Sequence, residues 1–121
     1  MKIVYIAGPY GDKDGYLAID RNIAQAREAA AWCAARGVGY ICPHLNSAHF
    51  EAIVPVRDVE FWYEMDLRLM EVADALLVLP RWQESTGMQR ETLHFVATKD
   101  GPIFHWEDVD DRARLIEWAL S

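Results

Sequence analysis

Ile3-Val4-Tyr5-Ile6-Ala7 runs straight into Gly8-Pro9, and Ala75-Leu76-Leu77-Val78-Leu79 runs into Pro80. Two unbroken apolar runs of strand length, each ended by a chain breaker, predict central parallel strands buried on both faces. Between them Ile19, Ile23, Ala26, Ala30 and Cys33 recur at steps of four and three. That spacing predicts an amphipathic helix, with Gly37 as its C-terminal stop. Residues 38–42 predict a short strand ended by Pro43. Residues 58–73 and 87–99 predict helices, the second stopped by Asp100-Gly101-Pro102. Residues 103–106 predict a last strand and residues 108–120 a last helix, with Asp108, Asp110 and Asp111 at its N-terminal end. Residues 43–56 show no period. A loop of that length in a compact domain is expected to be a lid or a binding segment.

Strands alternating with helices predict an α/β fold. The expectation is one domain over residues 1–121, a doubly wound parallel sheet of Rossmann or flavodoxin type. It should hold about four to five strands, with helices on both faces. A strand order of 2-1-3-4 puts a switch point between the first and third strands. Ligands bind outside the C-terminal strand ends at such a point. Residues 8–10 and 80–87 would then line the site. Neither the Gly-x-Gly-x-x-Gly fingerprint nor the P-loop occurs, so ordinary dinucleotide and P-loop chemistry is not expected.

The chain has 121 residues, 52% of them apolar, with five Trp, five Tyr and four Phe, the composition of a folded globular protein. Nineteen acidic residues against 12 basic ones give a net charge of −7. With no basic stretch to neutralise phosphodiesters, no nucleic-acid polymer is expected as a partner. No apolar run approaches membrane-spanning length, so no membrane partner is expected. The opening residues are too short for a signal peptide. Cys33 and Cys42 have neither redox-motif nor zinc spacing, which predicts buried free thiols and a reducing, cytoplasmic setting. His44 and His49, five apart, are no metal signature. No metal and no cofactor are expected.

Two stretches carry candidate chemistry. Ser85-Thr86-Gly87-Met88-Gln89-Arg90-Glu91 follows the second apolar run. A Ser85 cap would leave free backbone N–H groups as an anion site. Gly87, without a Cβ, lets a ligand approach the backbone. Glu91 falls one helical turn deeper on the same face. The plain alternative is a capped helix with a surface Glu. In the helix at 58–73, Val59, Tyr63, Met70 and Ala73 form an apolar stripe that also contains Asp66. A carboxylate there is costly unless it snorkels at the edge of the stripe, pairs with Arg57 or Arg68, or faces a cavity. If Asp66 and Glu91 face one pocket, two carboxylates flank one ligand, as in glycoside cleavage. Trp82 either stacks on a ligand ring or staples the motif loop. Asn22 is expected to bond near the start of the first helix and Asp74 to satisfy neighbouring backbone. Trp106 and Trp118 are expected in core or interface.

Ile6-Ala7-Gly8-Pro9-Tyr10 resembles the opening of the nucleoside 2-deoxyribosyltransferases and their relatives, the 2′-deoxynucleoside 5′-monophosphate N-hydrolases. Met65-Asp66-Leu67 followed by Ala73-Asp74-Ala75-Leu76-Leu77-Val78 resembles that family's Asp-bearing helix and third strand. Ser85-x-Gly87-x-x-x-Glu91 resembles its catalytic motif. The resemblance spans nearly the whole chain and is weakest at 43–58. It implies cleavage or transfer at the N-glycosidic bond of a nucleoside or nucleoside 5′-monophosphate. Glu91 would be the nucleophile at C1′, Asp66 the carboxylate on the leaving base, and Tyr5 the residue that orients Glu91. The resemblance makes Ser85 a substrate contact. Gly8, Pro9, Tyr10, Trp82 and Gly87 are expected to contact substrate from their places at the strand ends and in the motif loop, and His44, just past a strand end, either reaches the base or stabilises its loop.

Ser85 matches the residue that meets the 5′-phosphate in the hydrolases, where transferases of free nucleosides tend to carry an acid. That match leans toward a phosphorylated substrate. Pro9 and Gly11 oppose it, because they stand where the hydrolases place Ser and Arg. The alternative function is a non-catalytic nucleotide-binding module, and a weaker one is a structural subunit. Phe61-Trp62-Tyr63 with Met65, Leu69 and Met70 is apolar over a wider arc than one sheet face covers, which predicts a homodimer or higher oligomer.

Overall fold

A computed structural model describes residues 1–11, 15–54 and 58–121, and of Trp82 the backbone alone. Strands β1 (Ile3–Ala7), β2 (Gly39–Ile41), β3 (Ala75–Val78) and β4 (Ile103–His105) form one parallel sheet in the order β2-β1-β3-β4. Tyr5 pairs with Ile41 on one side and Leu76 on the other, and Ala7 pairs with Val78. The helices are α1 (Tyr16–Ala35), α2 (Pro43–Asn46), α3 (Val59–Met70), α4 (Thr86–Thr98) and α5 (Val109–Leu120).

The two-residue strand period sorts the core into two layers. Val4, Ile6, Ala75 and Leu77 face Ala26, Ala29, Ala30 and Cys33 of α1 and Leu115 of α5. Tyr5, Ala7, Leu76 and Val78 face Met70 at the end of α3 and Met88 and Phe95 of α4. This is the doubly wound α/β sheet expected from the apolar runs. Both cysteines are buried free thiols. No described helix is long and apolar enough to cross a membrane.

Local chemistry sets the element ends. Gly37 has φ +76°; its N–H bonds to Ala34 at 3.2 Å while Val38 N–H reaches Cys33 at 3.0 Å, closing α1. The Ser85 hydroxyl oxygen accepts from Met88 N–H at 3.2 Å and starts α4. Asp108 does the same for α5 through Asp110 and Asp111. Helix α3 ends at Met70, short of the expected residue 73, because Asp74 takes up strand backbone instead. Its carboxylate accepts from Ile3 N–H at 2.8 Å and its own N–H donates to the Ile3 carbonyl at 2.7 Å.

The segment after β2 is not the irregular loop its sequence suggests. Pro43 opens α2 at a position where its missing N–H has no helical partner to lose. A 3-10 turn follows at Phe50–Ala52. Arg57, considered as a partner for Asp66, lies outside the described residues. Trp106 is buried beside Trp32, and Trp118 packs on Phe104 in the α1/α5 layer, both within the chain's own core.

Candidate active site

A cavity of about 600 Å³ opens at the C-terminal ends of β1 and β3, the switch point of the sheet. The loop after β1 delivers Gly8 and Tyr10, α2 delivers His44, α3 delivers Tyr63 and Asp66, and α4 with its cap Ser85 delivers Gly87 and Glu91. The α3 stripe therefore faces a cavity through Val59, Tyr63 and Asp66 and turns to core only at Met70. Asp66 is not held by Arg68, which lies 3.7 Å from Glu71.

Glu91 is 8% exposed and sits above Tyr5, which is fully buried. The Tyr5 hydroxyl makes no hydrogen bond of ordinary geometry among the described residues. It is nonetheless near enough to lower the pKa of Glu91, while burial and the neighbouring carboxylates push its own far up. Burial dominates at Glu91 and, with Asp66 adding repulsion, pushes that carboxyl up to about 8. Burial alone raises Asp66 to about 6. Both acids are thus raised in one cavity, Glu91 further than Asp66.

His44 is buried, and its Nε2 lies 2.8 Å from the Pro9 carbonyl. A carbonyl only accepts, so Nε2 carries the proton. Burial lowers the His44 pKa and keeps the ring neutral. Pro9 itself does not line the cavity; its role is to fix His44. Gly8 is a glycine because Leu79 packs against it: a Cβ there would come within 2.6 Å of Leu79 Cδ1. The Trp82 side chain lies outside the described residues.

The sequence reading missed much of the outer wall. Phe50, Glu51, Trp62 and Glu84 all border the cavity. Tyr10 donates to Glu51 at 2.7 Å and accepts from His49 N–H at 2.8 Å, which pins the turn at 49–51 over the site. Burial and this bond to Glu51 raise the Tyr10 pKa to about 12. Asn22 donates to the Tyr10 carbonyl at 3.1 Å and accepts from Arg81 at 2.5 Å, tying the two strand-end loops together. Tyr63 had a visible signal: it lies three residues before Asp66, on the same helical face. Its ring lies 4.0 Å from the Arg90 guanidinium, which grips Glu60 through two bonds of 2.8 and 3.2 Å.

No curated protein matches the sequence. A family model described as a domain of unknown function, DUF7768, matches residues 2–100, and the chain belongs to that family. The matched span runs from β1 through α4 and so includes every residue of the cavity.

Proposed function

We propose that this member of the family is an N-glycosidase, cleaving or transferring at the bond between a nucleobase and its sugar. The observation that carries the reading is the placement of Glu91 and Asp66 on two different helices facing one cavity, with pKa values raised by different amounts. Simple binding needs neither a buried nucleophile nor an acid. The family resemblance of the three motifs points the same way.

In the proposed reaction an ionised Glu91 oxygen bonds to C1′ as the C1′–N bond breaks. The bonding pair leaves with the base, whose nitrogen takes a proton from Asp66. Water, or a second base, then attacks C1′, returns a proton to Asp66 and frees Glu91. Positive charge growing on the sugar ring favours ionised Glu91, with the pair's one proton carried by Asp66. The acid pair predicts a bell-shaped kcat/KM with limbs near pH 6 and 8.

Incubation with a panel of nucleosides and 5′-monophosphates, with and without a second free base, tests the reading. Chromatography should show base release, or exchange when the second base is present. Tight binding with no release would make the protein a binding module instead.

A homo-oligomer is part of the proposal. Phe61 on α3 and Leu93 and Val96 on α4 stay 48%, 69% and 61% exposed, while the 50–52 turn covers Trp62 through Phe50 at 6.3 Å. A second subunit on the α3/α4 face would cover the remainder. Light scattering across a dilution series should show a dimer or larger species; a monomer at all concentrations would overturn it.

A further inference from the structure

We infer that Asn22 is a positioning residue for this cavity: its one carboxamide holds the loop after β1, the motif loop after β3 and, through Tyr10, the 49–51 turn in a single arrangement. For the geometry this rests on the fold alone; for the effect on turnover it rests on the N-glycosidase reading. Asn22 is 2% exposed and lies on α1 one turn from Ala18 and one turn from Ala26, both buried. An amide on that apolar face is costly unless both its ends are bonded. The partners it finds are not in its own helix. Its amide N–H donates to the Tyr10 carbonyl, 12 residues back, and its oxygen accepts from Arg81, 59 residues on. A carbonyl only accepts and a guanidinium only donates, so one orientation of the amide serves both.

The two chains it joins leave the sheet side by side. Ala7 pairs with Val78, and Leu79 N–H still reaches the Ala7 carbonyl at 2.9 Å. Past that bond the sheet ends, and Asn22 bridges the two chains from α1. Arg81 carries φ +66°, a left-handed backbone that an arginine rarely adopts. The guanidinium bond to Asn22 holds that bend, and the bend leads into the turn at 82–84 and the Ser85 cap. On the other side, the residue whose carbonyl Asn22 holds donates its hydroxyl proton to Glu51 and accepts from His49 N–H. Gly8, Tyr10, Glu51, Glu84 and Ser85 line the cavity from three segments, and all three are tied to one buried side chain. Asp66 and Glu91 stand on α3 and α4, outside this network.

Two amides report on the two ends without any substrate. His49 N–H is bonded to the Tyr10 hydroxyl at 2.8 Å and Glu84 N–H to the Arg81 carbonyl at 3.0 Å. Asn22→Ala should speed hydrogen exchange at both by about tenfold or more, with the amides inside α4 little changed. Asn22→Asp keeps an acceptor for Arg81 but sets a second oxygen against the Tyr10 carbonyl, so His49 should exchange faster while Glu84 keeps its protection. Exchange at His49 that neither variant speeds relative to α4 overturns the inference. So does Glu84 losing protection in Asn22→Asp or keeping it in Asn22→Ala. With a nucleoside that the wild type cleaves, Asn22→Ala should raise KM by about tenfold and keep kcat within about threefold. Both limbs of the pH profile should stay in place, because the acids stand outside the network. An unchanged KM overturns the positioning role and leaves the N-glycosidase reading standing. Should Asn22→Ala not fold, Asn22→Asp takes its place in both assays. If the wild type releases no base from any nucleoside or nucleotide, the N-glycosidase reading fails, and the two amides still decide the inference.

Discussion

Asp111 and Glu91 are both carboxylates with less than a tenth of their surface exposed, one on each face of the same sheet. The fold treats them in opposite ways. Asp111, on α5, accepts from His105 N–H at 2.8 Å and pairs with Arg114. Glu91, on α4, has no cation beside it among the described residues and is pushed up to about 8. The layers around them differ in the same sense. The α1/α5 side is sealed by aliphatic and aromatic contacts, while the α3/α4 side gives way to a cavity of about 600 Å³. One face satisfies its buried charge and contributes stability. The other leaves its acids raised in pKa, the state in which a carboxyl exchanges protons near neutral pH.

The sharpest way to break this contrast is Glu91→Gln. Loss of a nucleophile should lower base release by about three orders of magnitude or more. The fold should survive and its pH dependence should flatten. Folding raises this carboxyl from its ordinary 4.5 to about 8, so the folded chain holds more protons than the unfolded chain between those values. The stability this gives is full below pH 4.5 and is lost as pH rises through 8. Denaturant melts from pH 4 to 9 should show the wild-type decline and its absence in the variant. Near wild-type turnover by Glu91→Gln would remove Glu91 as nucleophile.

Asp66→Asn is next. If Asp66 protonates the leaving base, turnover of substrates with poor leaving bases should fall by about 10²–10⁴-fold, and that of good ones far less. The limb near pH 6 should vanish from the kcat/KM profile. Equal losses for both kinds of base, with the limb intact, would reduce Asp66 to a binding residue.

Asp111→Ala tests the other face. It removes the acceptor that His105 N–H uses and should cost about 1–3 kcal/mol of stability in denaturant melts. Turnover per folded molecule should stay within about twofold, because the site lies across the sheet. A loss of turnover without a loss of stability would show that the two faces are coupled.

What could be seen in the sequence follows from how each feature is encoded. The strands, the Ser85 cap and the Gly37 stop are written in consecutive residues, and each appears in the fold, as does the supposed strand order. Glu91 and Asp66 were singled out because a carboxylate is out of place beside apolar neighbours. The outer wall was not legible in the same way. Glu51 and Phe50 come from a segment with no period, and Glu84 looks like any loop acid until the cavity is drawn around it. An apolar helical stripe does not say whether it meets core or empty space, so Tyr63 stands in the sequence only as one member of that stripe. The order of the two pKa values depends on burial depth, which no spacing encodes.

Gly87 is where those two kinds of information meet, and its substitution should have the smallest effect. The sequence offered one reason for a glycine there, close approach of a ligand to the backbone. The structure offers another: a Cβ at this position would collide with the Tyr63 hydroxyl. Tyr63 is only half-buried and can swing outward, but doing so breaks the stack on Arg90 and the strut that Arg90 makes to Glu60. Gly87→Ala should therefore loosen the cavity mouth without moving Glu91. KM should rise by up to about tenfold while kcat changes little. Tyr63→Phe removes the colliding oxygen, so the double variant should recover most of the lost affinity. A fall in kcat at unchanged KM, with no recovery in the double variant, would return the explanation to the ligand. The glycine would then be there for the substrate and not for the tyrosine.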